Sequence, residues 1–247
     1  MLLTVREPVR GGLDDPADVA MRRASEDVPF WEVIRGLLAS PTFRIMSLSA
    51  APSALCGYGM NLWMPSFITR IHDLPPGAFA LQLGLAIGIG GGLGAMLGGA
   101  ITARAARRDP RAFLTLPALT MLVFAIVMAL AVWTASLPIV YAAIWIAAFC
   151  QFYLMGPFFG VVQRLAPLRG RAVATAAFFF ILSVIGLGLG PLYVGGVSDF
   201  FQANYGEAEA LRLALTTLSG ISLLAAAIAF FGRNAILRDK DSIVGTA

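Results

Sequence analysis

The chain is poor in charge and poorer still in the residues that do chemistry. Only 13 % of its 247 residues are charged, and it has one histidine, two cysteines and a single lysine, Lys240. Each scarcity excludes something. With one lysine near the C-terminus there is no Gly-Lys-Ser/Thr, so a phosphate-binding P-loop is absent. With His72 alone there is no His/Cys constellation for a metal, and no imidazole partner for a buried serine nucleophile such as Ser183 or Ser219. Cys56 and Cys150 both fall in apolar runs, where the ordinary reading is a small buried hydrophobe and not a disulfide. No cofactor and no metal are expected, and enzyme chemistry is disfavoured. From Ala112 to Gln163 there is no charged side chain at all.

What fills the chain instead is apolar: 58 % hydrophobic residues and a mean hydropathy of +0.80 mark an integral membrane protein, because a soluble domain carries about 25 % charge. Uncharged runs divide it into six spans: Ile45 to Thr69, about Leu74 to Ala103, two within the stretch from Ala112 to Gln163, Ala172 to Ser198, and Leu211 to Gly232. The long middle stretch must be two crossings, since a helix rising about 1.5 Å per residue needs only ~20 residues for a ~30 Å core. Its break is placed at Thr134-Ala135-Ser136-Leu137-Pro138, and Ser40-Pro41 starts the first span. Asp199 to Glu209 reads as a loop.

Residues 1–40 form a polar linker, 41–233 the six-helix domain and 234–247 a polar tail. Within the linker, Phe30, Trp31, Ile34, Leu37 and Leu38 recur at helical spacing beside Glu32 and Arg35. Two readings stand: an amphipathic helix on the membrane surface, or one packed on the protein's own loops. Sixteen of the eighteen Lys and Arg fall on one side of this topology, and only Arg70 and Arg212 on the other. That bias predicts both termini in the cytoplasm, in the inner membrane. Because the arginines are split among short loops between spans, it also argues against a nucleic-acid partner.

The second span is dense in glycine, with Gly84, Gly88 and Gly92 in one row of fours and Gly90, Gly94 and Gly98 in another. Such rows let membrane helices approach closely. Gly90, Gly92 and Ala95 formally satisfy a dinucleotide fingerprint, but they stand in mid-span without the strand that motif requires. The fifth span repeats the pattern in Gly186-x-Gly188-x-Gly190-Pro191-x-x-x-Gly195-Gly196. The second member of each triplet of spans is thus the glycine-rich one, and the first members carry the polar groups: Tyr58, Asn61, Trp63 and Pro65 in one, Gln151, Tyr153 and Pro157 in the other.

After the second span, Gly99-x-x-x-Ala103-Arg104-x-Ala106-Arg107-Arg108 resembles the G-x-x-x-D-R-x-G-R-R loop of the major facilitator superfamily of transporters. The usual Asp is Ala103 and the second Gly is Ala106, so the loop keeps its arginines and loses the acid of the family's charge relay. Thr4-Val5-Arg6-Glu7-Pro8 is similar to the segment that follows the sixth helix in the spinster-like branch, and the Gly186 to Pro191 segment resembles that branch's G-L-G-L-G-P. The resemblance implies an all-α membrane fold of six transmembrane helices in two inverted three-helix repeats, the C-terminal half of a secondary transporter whose partner is an N-terminal six-helix half.

It also implies that the first helix of each triplet lines a central cavity. Ser47, Ala54, Tyr58, Asn61 and Pro65 form one stripe, so Tyr58, Asn61, Trp63, Gln151 and Tyr153 are the candidate contacts for a small organic or lipid-like solute. Asn61 has a plainer alternative, a bond to a neighbouring helix at about 0.6 kcal/mol. Gly99, Arg104, Arg107 and Arg108 are the candidate conformational loop, and Gly88, Gly92, Pro157, Gly190 and Pro191 the candidate packing and hinge positions. No Asp, Glu, Lys, Arg or His stands in the body of a span, so any proton coupling belongs to the other half. A half-length, non-transporting subunit or a homodimeric half-transporter is the alternative function, and an intramembrane enzyme a remote third.

Overall fold

The computed structural model describes residues 29–239. The linker before Pro29, including Thr4 to Pro8, and the tail from Lys240 lie outside the described residues. Everything described is helix or short connection, with no strand among the described residues. A short helix α1 (Phe30–Ala39) leads into α2 (Pro41–His72), which Ser40 caps by accepting the Phe43 N–H at 3.1 Å. Then follow α3 (Pro76–Leu85), a π-helical turn (Ala86–Gly91) and α4 (Gly92–Ala106), which together make one rod. Next come α5 (Ala112–Trp133), α6 (Leu137–Tyr153) and α7 (Met155–Leu165). After these, α8 (Arg171–Leu182), a second π-helical turn (Ser183–Leu189) and α9 (Gly190–Gly232) run on to a 3-10 turn at Arg233–Leu237.

Among the described residues, four helical stretches are long and apolar enough to cross a membrane: Pro76–Ala106, Ala112–Trp133, Leu137–Leu165 and Leu168–Leu237. Although α2 has the length, its serines, prolines and glycines with Tyr58 and Asn61 keep it less apolar. The fourth stretch runs 70 residues, which at about 1.5 Å each is some three times a bilayer core. It is broken at one place. Gly206 has φ 77° and ψ 168°, a conformation essentially reserved for glycine. The expected loop from Asp199 to Glu209 is therefore a correction: helix continues on both sides, and the run is interrupted by a kink at one glycine. Nothing lies within 4 Å of a Cβ placed there, so only backbone strain opposes substitution. Gly206→Ala is expected to cost about 1 to 3 kcal/mol, read as a lower melting temperature in detergent. An unchanged melting curve would show that the chain does not turn there.

The break between α5 and α6 falls at Thr134 to Ser136, as the sequence leads one to expect. Pro157 interrupts the next rod: it has no N–H for the Tyr153 carbonyl, and the helix is broken at Leu154. Among the packed pairs are α2 on α9, α5 on both α9 and α6, and α4 on α6 and α7. Sparse polar bonds pin these contacts. Ser222 Oγ donates to the Met121 carbonyl at 2.8 Å, and the Cys56 thiol to the Leu218 carbonyl at 3.2 Å. The two cysteines are free thiols. As for α1, Val33 and Leu37 are buried in the core while Phe30, Trp31 and Leu38 stay exposed, so this helix both packs on the domain and presents an apolar edge.

The glycine rows divide sharply. At Gly94 and Gly98 a Cβ would collide with the backbone carbonyls of Phe149 and Tyr153, and at Gly90 it would sit 3.2 Å from that of Trp145. Gly88 and Gly92 have nothing within 4 Å. The packing within this chain thus falls on the other row from the one singled out in the sequence, because positions two apart lie about 200° apart around a helix. At the second seam, a Cβ on Gly190 would come 2.7 Å from the Leu55 carbonyl oxygen.

Candidate functional site

The stripe on α2 meets α6, α7 and α8 around a hollow of about 150 Å³. Its polar wall is built by α2 and α6. Gln151 reaches across from α6, donating through Nε2 to the Ser53 carbonyl at 3.0 Å and accepting at Oε1 from the Ser53 hydroxyl at 3.2 Å. The side chain fits only because position 57 is glycine, where any Cβ would overlap the Gln151 amide. Tyr58 and Asn61 complete this wall. Four residues beyond Asn61, Pro65 removes the N–H that would bond the Asn61 carbonyl, leaving a second acceptor on the same turn. The opposite wall is aromatic: Phe152, Phe158, Phe159, Phe178 and Phe179 line it, with Phe178 meeting Phe159 edge to face at a centroid distance of 5.5 Å.

Three of the five candidate contacts, Tyr58, Asn61 and Gln151, are thus brought to one hollow, and two are not. Trp63 donates its indole N–H to the Pro191 carbonyl at 3.0 Å, and the buried Tyr153 hydroxyl pairs with Thr102 at 2.9 Å. Each stands two positions after a hollow-lining residue, hence about 200° away around the helix. Both bonds tie neighbouring rods together. Of the rest of the α2 stripe, Ala54 lines the hollow while Ser47 and Pro65 do not. Ser53, Gly57 and the five phenylalanines were not singled out by sequence. Ser53 and Gly57 precede Asn61 at four-residue steps, on one face of α2, and could have been found from it.

The loop after α4 is short. Arg107 and Arg108 are exposed there, and Asp109 Oδ1 accepts the Arg111 N–H at 3.0 Å, turning the chain into α5. Arg104 lies in the last turn of α4, and Gly99 faces Gly156, where a Cβ would strike the Gly99 backbone nitrogen. Of the hinge candidates, Pro157 and Gly190 stand at the breaks and seams described, while Pro191 opens α9 and accepts the Trp63 bond. His72 ends α2 with its ring against Phe67; burial, and then the nearby Arg212, hold its pKa below the usual value. No group of three or more His, Cys, Asp or Glu that could hold a metal occurs among the described residues.

A hollow with hydrogen-bonding groups on one wall and aromatic rings on the other, set between helices rich in glycine, is a site for binding and not for bond chemistry. Residues 1–191 match the Major Facilitator Superfamily. The chain belongs to this superfamily. Among its relatives, an MFS-type efflux pump of Mycolicibacterium smegmatis is 32 % identical over 197 residues, covering 79 % of this chain and 45 % of that protein. Protein spinster homolog 1 of Bos taurus is 27 % identical over 262 residues, covering 98 % of this chain and 48 % of its own length. Among solved structures, a bacterial homologue of the human lysosomal transporter Spinster, inward-facing and unoccupied, superposes with a TM-score of 0.81 at 26 % identity, over 96 % of this chain and 56 % of that one. The occupied inward-facing form gives 0.73 at 23 % identity, over 90 % and 56 %, a likeness of fold. The superfamily chain described here is thus spinster-like, and it spans about half the length of the curated relatives it matches.

Proposed function

We propose that this chain is the C-terminal half of a secondary transporter, crossing the inner membrane six times as two inverted three-helix repeats with both termini in the cytoplasm, and working by alternating access against an N-terminal six-helix half. The observation that carries this is a twofold correspondence. The second rod of each triplet holds a π-helical turn, Ala86–Gly91 in one and Ser183–Leu189 in the other. Each also lays its glycines on the first rod of the opposite triplet, Gly94 and Gly98 on α6, Gly186 and Gly190 on α2. That exchange supports an inverted repeat. The residue types of the hollow support a small organic or lipid-like solute with an apolar body and a few hydrogen-bonding groups, held by Tyr58, Asn61 and Gln151.

The test is solute uptake into vesicles holding a two-half transporter that contains this chain. Tyr58→Phe and Asn61→Ala are each expected to raise the KM for the carried solute roughly two- to tenfold, the worth of one hydrogen bond. If both variants carry every member of a solute panel normally, the hollow is not the binding site. Vesicles holding this polypeptide by itself are expected to show no saturable uptake, and the appearance of such uptake would overturn the half-transporter reading.

A further inference from the structure

Beside the start of α2 and the end of α9 lies a groove of about 440 Å³ that the transport reading does not use. Arg44 and Arg238 both line it, and Asn234 adds an amide. Both arginines are exposed, and neither makes an ion pair among the described residues. The neighbouring charges are committed elsewhere. Asp239 accepts the Ser40 hydroxyl at 2.7 Å and the Thr42 N–H at 3.1 Å, so its carboxylate caps α2. Arg233 stacks 3.8 Å over the Phe230 ring and donates to the Phe230 carbonyl. Two guanidiniums with no ion-pair partner among the described residues therefore face one cleft.

The lower part of the cleft is apolar: Ile45, Gly232 and Phe231, the last 79 % exposed. A Cβ on Gly232 would crowd Ile45, so the start of α2 and the end of α9 meet tightly at this groove. The level is also informative. Arg44 stands immediately before the uncharged run that opens at Ile45, and Arg238 lies just beyond the last apolar span. The cleft is then at the depth where hydrocarbon gives way to headgroups. We infer that this groove binds an anionic phospholipid, its phosphate between Arg44 and Arg238 and an acyl chain along Phe231. A free phosphate would have no use for that exposed ring, whereas a lipid uses both parts. The inference needs only a membrane-embedded chain and does not depend on what is carried.

The test titrates the purified full chain in detergent with phosphatidylglycerol or phosphatidylcholine of matched acyl length and counts bound lipid by native mass spectrometry. Each arginine is expected to contribute about fivefold, so wild type should prefer phosphatidylglycerol by about 25-fold. Arg44→Gln with Arg238→Gln should erase that preference, and Arg70→Gln, on the other side of the topology, should leave it intact. Should the double variant not fold, Arg238→Gln alone, exposed past the last helical turn, should lose about fivefold. An undiminished preference in the arginine variants overturns the site. So does displacement of the lipid by millimolar inorganic phosphate, which would make the groove a simple anion site.

Discussion

Gly98→Leu is expected to abolish the folded domain, while Gly92→Ala six residues earlier in the same rod leaves it intact or slightly firmer. At Gly98 a Cβ would penetrate the Tyr153 carbonyl oxygen and lie 2.9 Å from that residue's carbonyl carbon and Cα. Those are backbone atoms, which have no rotamer to escape into. They are also held: the Tyr153 hydroxyl is tied back to Thr102 at 2.9 Å, and the same seam is closed by Gly94 on Phe149 and Gly156 on Gly99. Ordinary overpacking costs about 1 to 3 kcal/mol because side chains yield. Here the two rods must separate, so the loss should exceed about 3 kcal/mol and remove the monodisperse species in detergent. At Gly92 nothing lies within 4 Å, and exchanging a helical glycine for alanine favours helix by up to about 1 kcal/mol. Melting in detergent separates the outcomes. If Gly98→Leu melts within a few degrees of wild type, the seam is not closely packed.

That contrast shows what the chain's letters could and could not reveal. Helix ends were legible where a residue has a local mechanism: Ser40 capping ahead of Pro41 and the Thr134 to Pro138 break. The phase of a membrane helix was not. Both glycine rows of the second span repeat on fours, and apolar side chains surround them equally, so no polar face marks which row meets protein. Only the position of α6 decides it. The same blindness hid the aromatic wall, since Phe178 in a core and Phe180, 68 % exposed, look alike in a row of phenylalanines. Polar residues were more informative, but only with the helical angle applied. Asn61 and Trp63, or Gln151 and Tyr153, cannot share one face at two-residue spacing. And Gly206 was legible only as part of a polar stretch read as a loop, because polarity does not show that helix runs up to one residue and resumes after it.

Gly57→Ala is the second large effect, and its partner residue makes it a test of mechanism. The added methyl would occupy the place of the Gln151 amide, which bridges α6 to Ser53 through two hydrogen bonds. Being the far end of a flexible side chain, that amide can leave. It must then break both bonds, and each such bond between membrane helices averages only about 0.6 kcal/mol. The stability cost should therefore stay near 1 to 2 kcal/mol, well below that of Gly98→Leu. Function should suffer more. The displaced amide has no room on the Gly57 side and must swing toward the hollow that Tyr58 and Asn61 line, taking volume that a solute needs. Uptake by the two-half transporter is expected to fall at least about tenfold, as expected when a site's geometry is disturbed by about 1 Å. Gln151→Ala vacates the space, so adding Gly57→Ala to it should change neither melting nor uptake further. The cycle is then strongly non-additive, as for residues that share one site. Additive losses would mean that Gly57 acts elsewhere, for instance on the bending of α2 between Pro52 and Pro65, and that the amide bridge does not shape the hollow.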